Sequence, residues 1–189
     1  CYEKLGNKNL ALKYYNKTVH EDPLLDKGWI AITDFYVRQK SYQKALFYVN
    51  KALGIDDQNR YYWKRFATIN QELNNYEEAE YGFRKAVEYG DYQLDTWLFW
   101  VDSLLFQGEF ESAIQTLLHA SEYFPEEFEV EYRLAGLYFI LFDDKKGKLM
   151  MYFTMRFKNE ANKLYYVYVN DDFDKLETLP QLLFQYLLE

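Results

Sequence analysis

The sequence from Trp97 to Pro125, WLFWVDSLLFQGEFESAIQTLLHASEYFP, decides the fold of the chain. Its apolar residues recur at intervals of three, four and seven, which places them on one face of a helix. Gly108 interrupts the pattern, and a glycine at such a break favours a tight turn. Small residues at Ala113 and Ala120 lie on the apolar face of the second segment. The stretch therefore predicts two amphipathic helices joined by a turn at Gly108.

The same pattern recurs along the chain with a period of 34 residues. Four columns of residues keep this spacing. They are Ala11, Ala45, Ala79, Ala113 and Gly147; Tyr15, Val49, Phe83, Leu117 and Met151; Thr18, Ala52, Ala86, Ala120 and Thr154; and Trp29, Trp63 and Trp97. A small residue on a helix face lets a neighbouring helix approach closely, and a large one fills the groove beside it. Because one helix pair cannot bury its apolar face alone, the period predicts pairs that stack on one another.

This pattern resembles the tetratricopeptide repeat (TPR), whose signature is W-x2-L-G-x2-Y, then A-x3-F-x2-A, then P. The positions that match its first half are Trp29, Ile32, Thr33, Tyr36; Trp63, Phe66, Ala67, Asn70; Trp97, Trp100, Val101, Leu104; and Glu131, Leu134, Ala135, Tyr138. The closing column reads Pro23, Asp57, Asp91, Pro125 and Asn159. The resemblance covers about residues 2–160. It implies an all-α fold, an α-α superhelix that is a right-handed solenoid of antiparallel helix pairs with about five TPR-like units.

We expect residues 1–189 to form a single TPR solenoid. Its units are predicted as a partial first repeat at 1–25, repeats at 26–59, 60–93, 94–127 and 128–161, and a degenerate repeat or C-terminal capping helices at 162–189. Helices are predicted at about 9–20, 25–38, 42–54, 59–72, 76–89, 93–106, 110–122, 127–141 and 144–157. Because the chain opens inside a helix pair, a further repeat is expected upstream. Terminal repeats need a polar outer face, so the last segment is interpreted as a cap in preference to a docking helix.

Composition excludes several classes of function. The net charge is −8, and an acidic body repels phosphate, so neither nucleic acid nor an anionic membrane surface is expected as a partner. No apolar run has transmembrane length, so we expect no membrane insertion. Cys1 is the only cysteine, so the fold does not depend on an oxidising compartment, which slightly favours a cytoplasmic location.

The sequence shows no pattern of residues that would support catalysis. His20 and His119 are the only histidines, and neither has a Cys, Asp or His at metal-ligand spacing. There is no nucleophile elbow and no glycine-rich phosphate loop. We therefore expect no catalytic residues, no metal site and no cofactor, and we predict that the chain is not an enzyme.

The resemblance implies a concave groove lined by the first helix of each pair. The matching positions are Lys27, Ile30, Asp34, Val37, Arg38; Tyr61, Lys64, Thr68, Gln71, Glu72; Asp95, Leu98, Asp102, Leu105, Phe106; and Glu129, Tyr132, Gly136, Phe139, Ile140. Earlier repeats present mixed charge and later ones present apolar residues, which mark partner sites when packing does not use them. The predicted protein-binding residues are Lys64, Leu98, Asp102, Leu105, Phe106, Tyr132, Phe139 and Tyr166.

Two occupants of this groove stay open at this point. A peptide or partner helix of another protein would bury the apolar stripe, and so would the chain's own C-terminal helix. Some TPR proteins grip the carboxylate end of chaperone tails with a Lys/Asn/Lys/Arg cluster. The matching positions here hold Ile30, Asp34, Lys64 and Thr68, which disfavours such a clamp.

The predicted function is a non-enzymatic protein–protein interaction scaffold that binds a peptide or partner helix in its concave groove. The alternative is a structural or regulatory arm of a larger protein. Such an arm could self-assemble into a homo-oligomer through the exposed ends of the array.

Overall fold

The computed structural model describes residues 7–125 and 127–141, except for the side chains of Phe139 and Ile140. Within these ranges all regular secondary structure is α-helical. The helices are α1 (Lys8–Glu21), α2 (Asp26–Arg38), α3 (Tyr42–Leu53), α4 (Arg60–Glu72), α5 (Tyr76–Glu88), α6 (Leu94–Gln107), α7 (Phe110–Tyr123) and α8 (Phe128–Leu141). Each begins and ends within one residue of its prediction. The predictions for 1–6, 144–157 and 162–189 lie outside the described residues.

The chain divides into two compact units, Cys1–Gly108 and Glu109–Glu189. In the first unit, each helix from α1 to α5 packs against the helix that follows it. In the second unit, α7 packs against α8. Within each unit, helices that follow one another in sequence are therefore neighbours in space, as expected of stacked helix pairs.

The small-residue columns form the core. Ala45, Ala52, Ala79 and Ala86 are completely buried in the first unit. Val49 and Phe83 from the large column are buried as completely, and so are Ala113, Leu117 and Ala120 in the second unit. Thr18, at the same register in α1, stays exposed and donates its hydroxyl to the Tyr14 carbonyl at 3.0 Å. The columns were predicted from the 34-residue period alone. Their burial explains the period, because each helix pair needs the same residue sizes at its contacts with its neighbours.

The helices α4 and α5 of the first unit approach each other closely at Gly82. A Cβ added to Gly82 would lie 2.9 Å from both Ala67 Cβ and Phe66 Cδ1, so only glycine fits at this spacing. The preceding repeat has Tyr48 at the equivalent position, where its ring stacks on Tyr36 at 5.4 Å. Equivalent positions of successive repeats can therefore hold side chains of very different size.

The connections from α2 to α3 and from α4 to α5, and the end of α6, contain residues with left-handed backbone. Lys40, Asn74 and Gly108 recur at the 34-residue interval and have φ values of 54°, 61° and 79°. The amide that follows, of Ser41 or Asn75, donates to the carbonyl five residues earlier at 2.9 Å in both of the first two turns. This is the Schellman motif, which ends one helix and starts the next. The predicted turn at Gly108 is confirmed.

Two residues of the tryptophan column, Trp29 and Trp63, fix the connection that enters their repeat. The Trp29 indole N–H donates to the Pro23 carbonyl at 2.8 Å, and that of Trp63 donates to the Asp57 carbonyl at 2.6 Å. Each bond satisfies a carbonyl of the loop that precedes the helix, six residues earlier. The indole ring packs between helices, and its N–H binds the loop that precedes the helix. One residue therefore contributes to helix packing and also fixes the conformation of that loop.

We expect Gly82→Ala to lower the free energy of unfolding by about 1–2 kcal/mol, because the added methyl forces α4 and α5 apart. The control is Gly136→Ala in α8, where an added Cβ meets nothing within 4 Å. There the gain in helix propensity should stabilise the protein by about 0.5–1 kcal/mol. Urea denaturation measures both, and stabilisation by both variants would contradict the close contact.

Candidate functional site

The outward face of α4 carries the polar and aromatic side chains that best fit a binding site. The helix begins at Arg60, after Asn59 accepts a hydrogen bond from the Tyr61 amide at 3.1 Å. Its opposite face contributes buried residues such as Tyr62, Ala67 and Ile69 to the core. The helical period then leaves another set of side chains pointing outward. These are Arg60, Tyr61, Lys64, Arg65 and Thr68.

These five side chains line a cavity of about 410 Å³ together with Asp91 and Gln93 from the α5–α6 connection. Ligand pockets commonly have volumes of about 300–1,000 Å³. Apart from Tyr61, the residues lining the cavity are polar or charged, and all of them belong to the first unit. Its lining combines three cations with one carboxylate.

Lys64, the predicted groove cation, is held by the next repeat. Its Nζ lies 2.8 and 2.9 Å from the two carboxylate oxygens of Asp95 and 3.1 Å from Gln93 Oε1. Asp91 Oδ2 lies 3.7 Å away. An ammonium has three N–H donors, and these neighbours take them. Lys64 therefore fixes the start of α6 against α4 and does not present an open cation.

A second polar cluster joins α4 to α2. Arg65 Nε donates to Asp34 Oδ1 at 2.8 Å, and its Nη2 donates to the Tyr61 hydroxyl at 3.0 Å. That hydroxyl donates to Asp34 Oδ2 at 3.3 Å, and the guanidinium lies 5.3 Å from the centre of the Tyr61 ring. Partly exposed ion pairs add little stability, but a closed cluster of this kind fixes side-chain orientation.

The neighbouring tyrosines of α4 have opposite roles. The Tyr62 hydroxyl donates to Asp26 Oδ2 at 2.6 Å and ties α4 to the start of α2. Burial, first, and the contact with the Asp26 carboxylate, second, raise the pKa of the Tyr62 phenol. Tyr62 is 4% exposed, whereas Tyr61 is 44% exposed. Tyr62 thus anchors the helix, and Tyr61 presents an aromatic ring to solvent.

Arg60 is the exposed cation at the edge of the cavity. Its Nη1 donates to the Gly90 carbonyl at 2.9 Å. Across the described part of the chain it makes no ion pair. Its charge is therefore not neutralised by a neighbouring carboxylate, unlike the charges of Lys64 and Arg65.

The predicted binding residues of α6 are less exposed to solvent than expected. Leu98, Asp102 and Leu105 are each half-buried. Phe106 is 66% exposed, but its ring stacks on Tyr76, the first residue of α5, at 4.6 Å and 13°. Phe106 therefore lies at the helix-turn edge of the repeat.

Phe99 is an exposed aromatic residue that the sequence interpretation missed. Its ring stacks on the buried Phe83 of α5 at 6.0 Å and 28°. Its carbonyl accepts a hydrogen bond from Gln71 Nε2 at 3.3 Å. Phe99 is 34 residues after Arg65, a cavity residue that the sequence interpretation also missed.

Among the remaining predicted residues, Tyr132 lies in the second unit. Its exposed ring stacks on that of Phe128, also exposed, at 5.8 Å and 22°. Tyr166 and the side chain of Phe139 lie outside the described residues. The structure thus places Lys64, Leu98, Asp102, Leu105 and Phe106 in one unit. Tyr132 belongs to the other.

The prediction that Ile30 lines the groove is wrong. Its side chain is buried in the core cluster with Val49 and Tyr62. The other repeats have Lys64, Leu98 and Tyr132 at this register. The isoleucine side chain lowers the free energy by packing into the core, because burial removes its apolar surface from water.

The described residues include no group of three or more His, Cys, Asp or Glu side chains that could hold a metal ion. Among the same residues, every helix is too short or too polar to cross a membrane.

We expect Tyr62→Phe to lower the free energy of unfolding by about 1 kcal/mol at neutral pH, because the Asp26 carboxylate loses a buried donor. Folding raises the pKa of Tyr62 above its usual value of 10.0, so this contribution is full below that pH and is lost as the pH rises further. The difference between wild type and variant should therefore shrink in alkali.

Urea denaturation across pH measures this effect, with Tyr81→Phe as the control. Tyr81 is a tyrosine of α5 that is exposed rather than buried. A difference between wild type and Tyr62→Phe that is the same at neutral and alkaline pH would contradict the assignment of the bond.

Comparison with known proteins identifies the fold. The sequence matches no protein-family model and no curated protein sequence. Among solved structures, YrrB superposes with a TM-score of 0.67 and 18% identity over 82% of this chain and 79% of YrrB. MamA from Desulfovibrio magneticus superposes with a TM-score of 0.66 and 14% identity over 87% of this chain and 89% of MamA. TTC0263 of Thermus thermophilus superposes with a TM-score of 0.54 and 20% identity over 72% of this chain and 75% of TTC0263.

YrrB and TTC0263 are TPR proteins. The chain therefore has the fold of TPR proteins. The predicted fold class, an all-α superhelix of stacked helix pairs, is confirmed.

Proposed function

We propose that this chain, with its TPR fold, is a non-enzymatic protein–protein interaction scaffold that binds a peptide or a partner helix along the outward face of its first helices. The observation that carries the proposal is the cavity of about 410 Å³ on α4. Its size suits one or two side chains of a ligand, and it is lined by residues that the core does not use.

The polar side chains of this face are held in place before any ligand arrives. Lys64 is bound by Asp95 and Gln93, and Arg65 is bound by Asp34 and Tyr61. A binding surface loses less conformational entropy when its side chains are already fixed. The face therefore favours association with a partner, and Lys64 acts by positioning its neighbours.

Exposed aromatic rings supply the contact area. Tyr61 on α4 and Phe99 on α6 are both exposed, and each is supported from below by another side chain, Arg65 or Phe83. Aromatic residues are frequent hot spots in interfaces. Leu98 and Leu105, which are half-buried, contribute less area than expected, so the proposal centres on α4.

A solved neighbour supports the choice of ligand class. YrrB, which shares this fold, has an unusual peptide-binding site. Stacked helix pairs offer a long open surface, which suits an extended peptide or a helix. The alternative, a self-assembling arm of a larger protein, predicts that this chain binds its own copies.

Photo-crosslinking distinguishes these functions. We expect p-benzoylphenylalanine at position 61 to capture a distinct protein from a lysate of the source organism. The matched control places the same group at position 81 on α5, where Tyr81 has almost the same exposure, 42% against 44% for Tyr61. A partner should be captured from position 61 and not from position 81.

Two further results would decide against the proposal. Crosslinks from position 61 to copies of the same chain would favour the self-assembling arm. Equal capture from both positions would show that the α4 face is not selected. Circular dichroism of both labelled proteins confirms that each is folded.

A further inference from the structure

We infer that the cavity on α4 receives a carboxylate side chain of an acidic peptide segment, with the Arg60 guanidinium as its main contact. This inference rests on the proposed function and names the chemistry of the ligand. It concerns Arg60, a residue that the sequence interpretation did not include in the groove.

Most of the hydrogen-bonding groups that remain in the cavity are N–H donors. A guanidinium has five N–H donors, and Arg60 uses one of them, on the Gly90 carbonyl. Arg65 uses two, on Asp34 and Tyr61. Asp91, the carboxylate of the lining, already accepts from the Gln93 amide at 3.4 Å and from Thr96 Oγ1 at 3.1 Å. A ligand that completes these bonds must bring acceptors.

The position of the charges, and not their sum, leaves a place for an anionic group. Asp95 and Asp91 both face Lys64, at 2.8 and 3.7 Å, and Asp34 pairs with Arg65 at 2.8 Å. Arg60 is left with a positive charge that no described residue pairs within ion-pair distance. A carboxylate matches the planar fork of a guanidinium with two parallel hydrogen bonds. The site thus offers one open position for one carboxylate.

The rest of the chain limits how much negative charge the ligand carries. The net charge is −8, so a long polyanion meets repulsion outside the cavity. A protein segment with one or two Asp or Glu residues beside an apolar residue avoids this repulsion. The exposed Tyr61 ring lies next to Arg60 in the lining and can contact the apolar neighbour.

Arg60, the proposed contact for the carboxylate, lies at a different position from Lys64, the predicted groove lysine. Lys64 lies deeper, with its side chain 19% exposed, and its donors are occupied. Arg60, one turn earlier on α4, is exposed at the mouth of the same cavity. An incoming carboxylate therefore reaches Arg60 without breaking an existing ion pair.

The test is selection of a random twelve-residue peptide library displayed on phage against the folded full chain. We expect the selected peptides to be enriched in Asp and Glu next to an apolar residue. A selected peptide, labelled with fluorescein, is then titrated with wild type, Arg60→Gln and Arg84→Gln, and fluorescence polarisation gives each Kd. Arg84 is a partly exposed arginine of α5, paired with Glu80, outside the cavity.

We expect Arg60→Gln to weaken binding by about tenfold or more and Arg84→Gln to change it by less than about twofold. Replacing the acidic residues of the peptide by Gln should have little further effect on the Arg60→Gln variant, because both changes remove the same contact. Thermal unfolding checks that each variant is folded.

Two results separate the inference from the proposed function. Peptides that bind at α4 without acidic residues, or equal Kd values for wild type and Arg60→Gln, would overturn the inference and leave the scaffold proposal standing. A library that yields no binding peptide would count against both.

Discussion

Close approach of helices at small residues is the constraint on which the rest of the structure depends. Gly82 against Ala67 sets the distance between α4 and α5, and buried alanines set it at the other contacts. Interiors are close-packed, so a side chain larger than the space must move a helix. Because the inward face of α4 is fixed in this way, its outward face is fixed too. The cavity is thus a consequence of how the core packs.

The spacing of the helices also brings polar side chains of successive repeats within bonding distance. Arg65 meets Asp34, and Lys64 meets Asp95, each across 31 residues of chain. These pairs neutralise two of the three cations in the cavity and leave Arg60 open. The Arg60 guanidinium can attract a single anionic group at the mouth of the cavity, whereas the net charge of −8 opposes a long polyanion. The same stacking that builds the fold therefore selects the chemistry of the site.

The period of the sequence predicts the helices, the turns and most of the core, because those features depend on which residues share a helix face. The burial and the contact partners of individual side chains were harder to predict. Ile30 occupies a groove register but turns into the core, and Phe106 stacks on Tyr76 at the edge. Lys64 lines the cavity on α4, but its pairing with Asp95 depends on side-chain conformation across two repeats. Periodicity assigns a face to a residue, whereas partners on that face depend on distances that only the folded chain defines.

The most direct test of this account is NMR of the arginine side chains, which reports the exchange of each guanidinium N–H with water. Arg65 Nε is bonded to Asp34 at 2.8 Å, whereas Arg60 Nε lies outside such a pair. The account predicts slow exchange at Arg65 and fast exchange at Arg60 in the free protein. Equal exchange at the two side chains would contradict a site in which one cation is already paired and the other is open to a ligand.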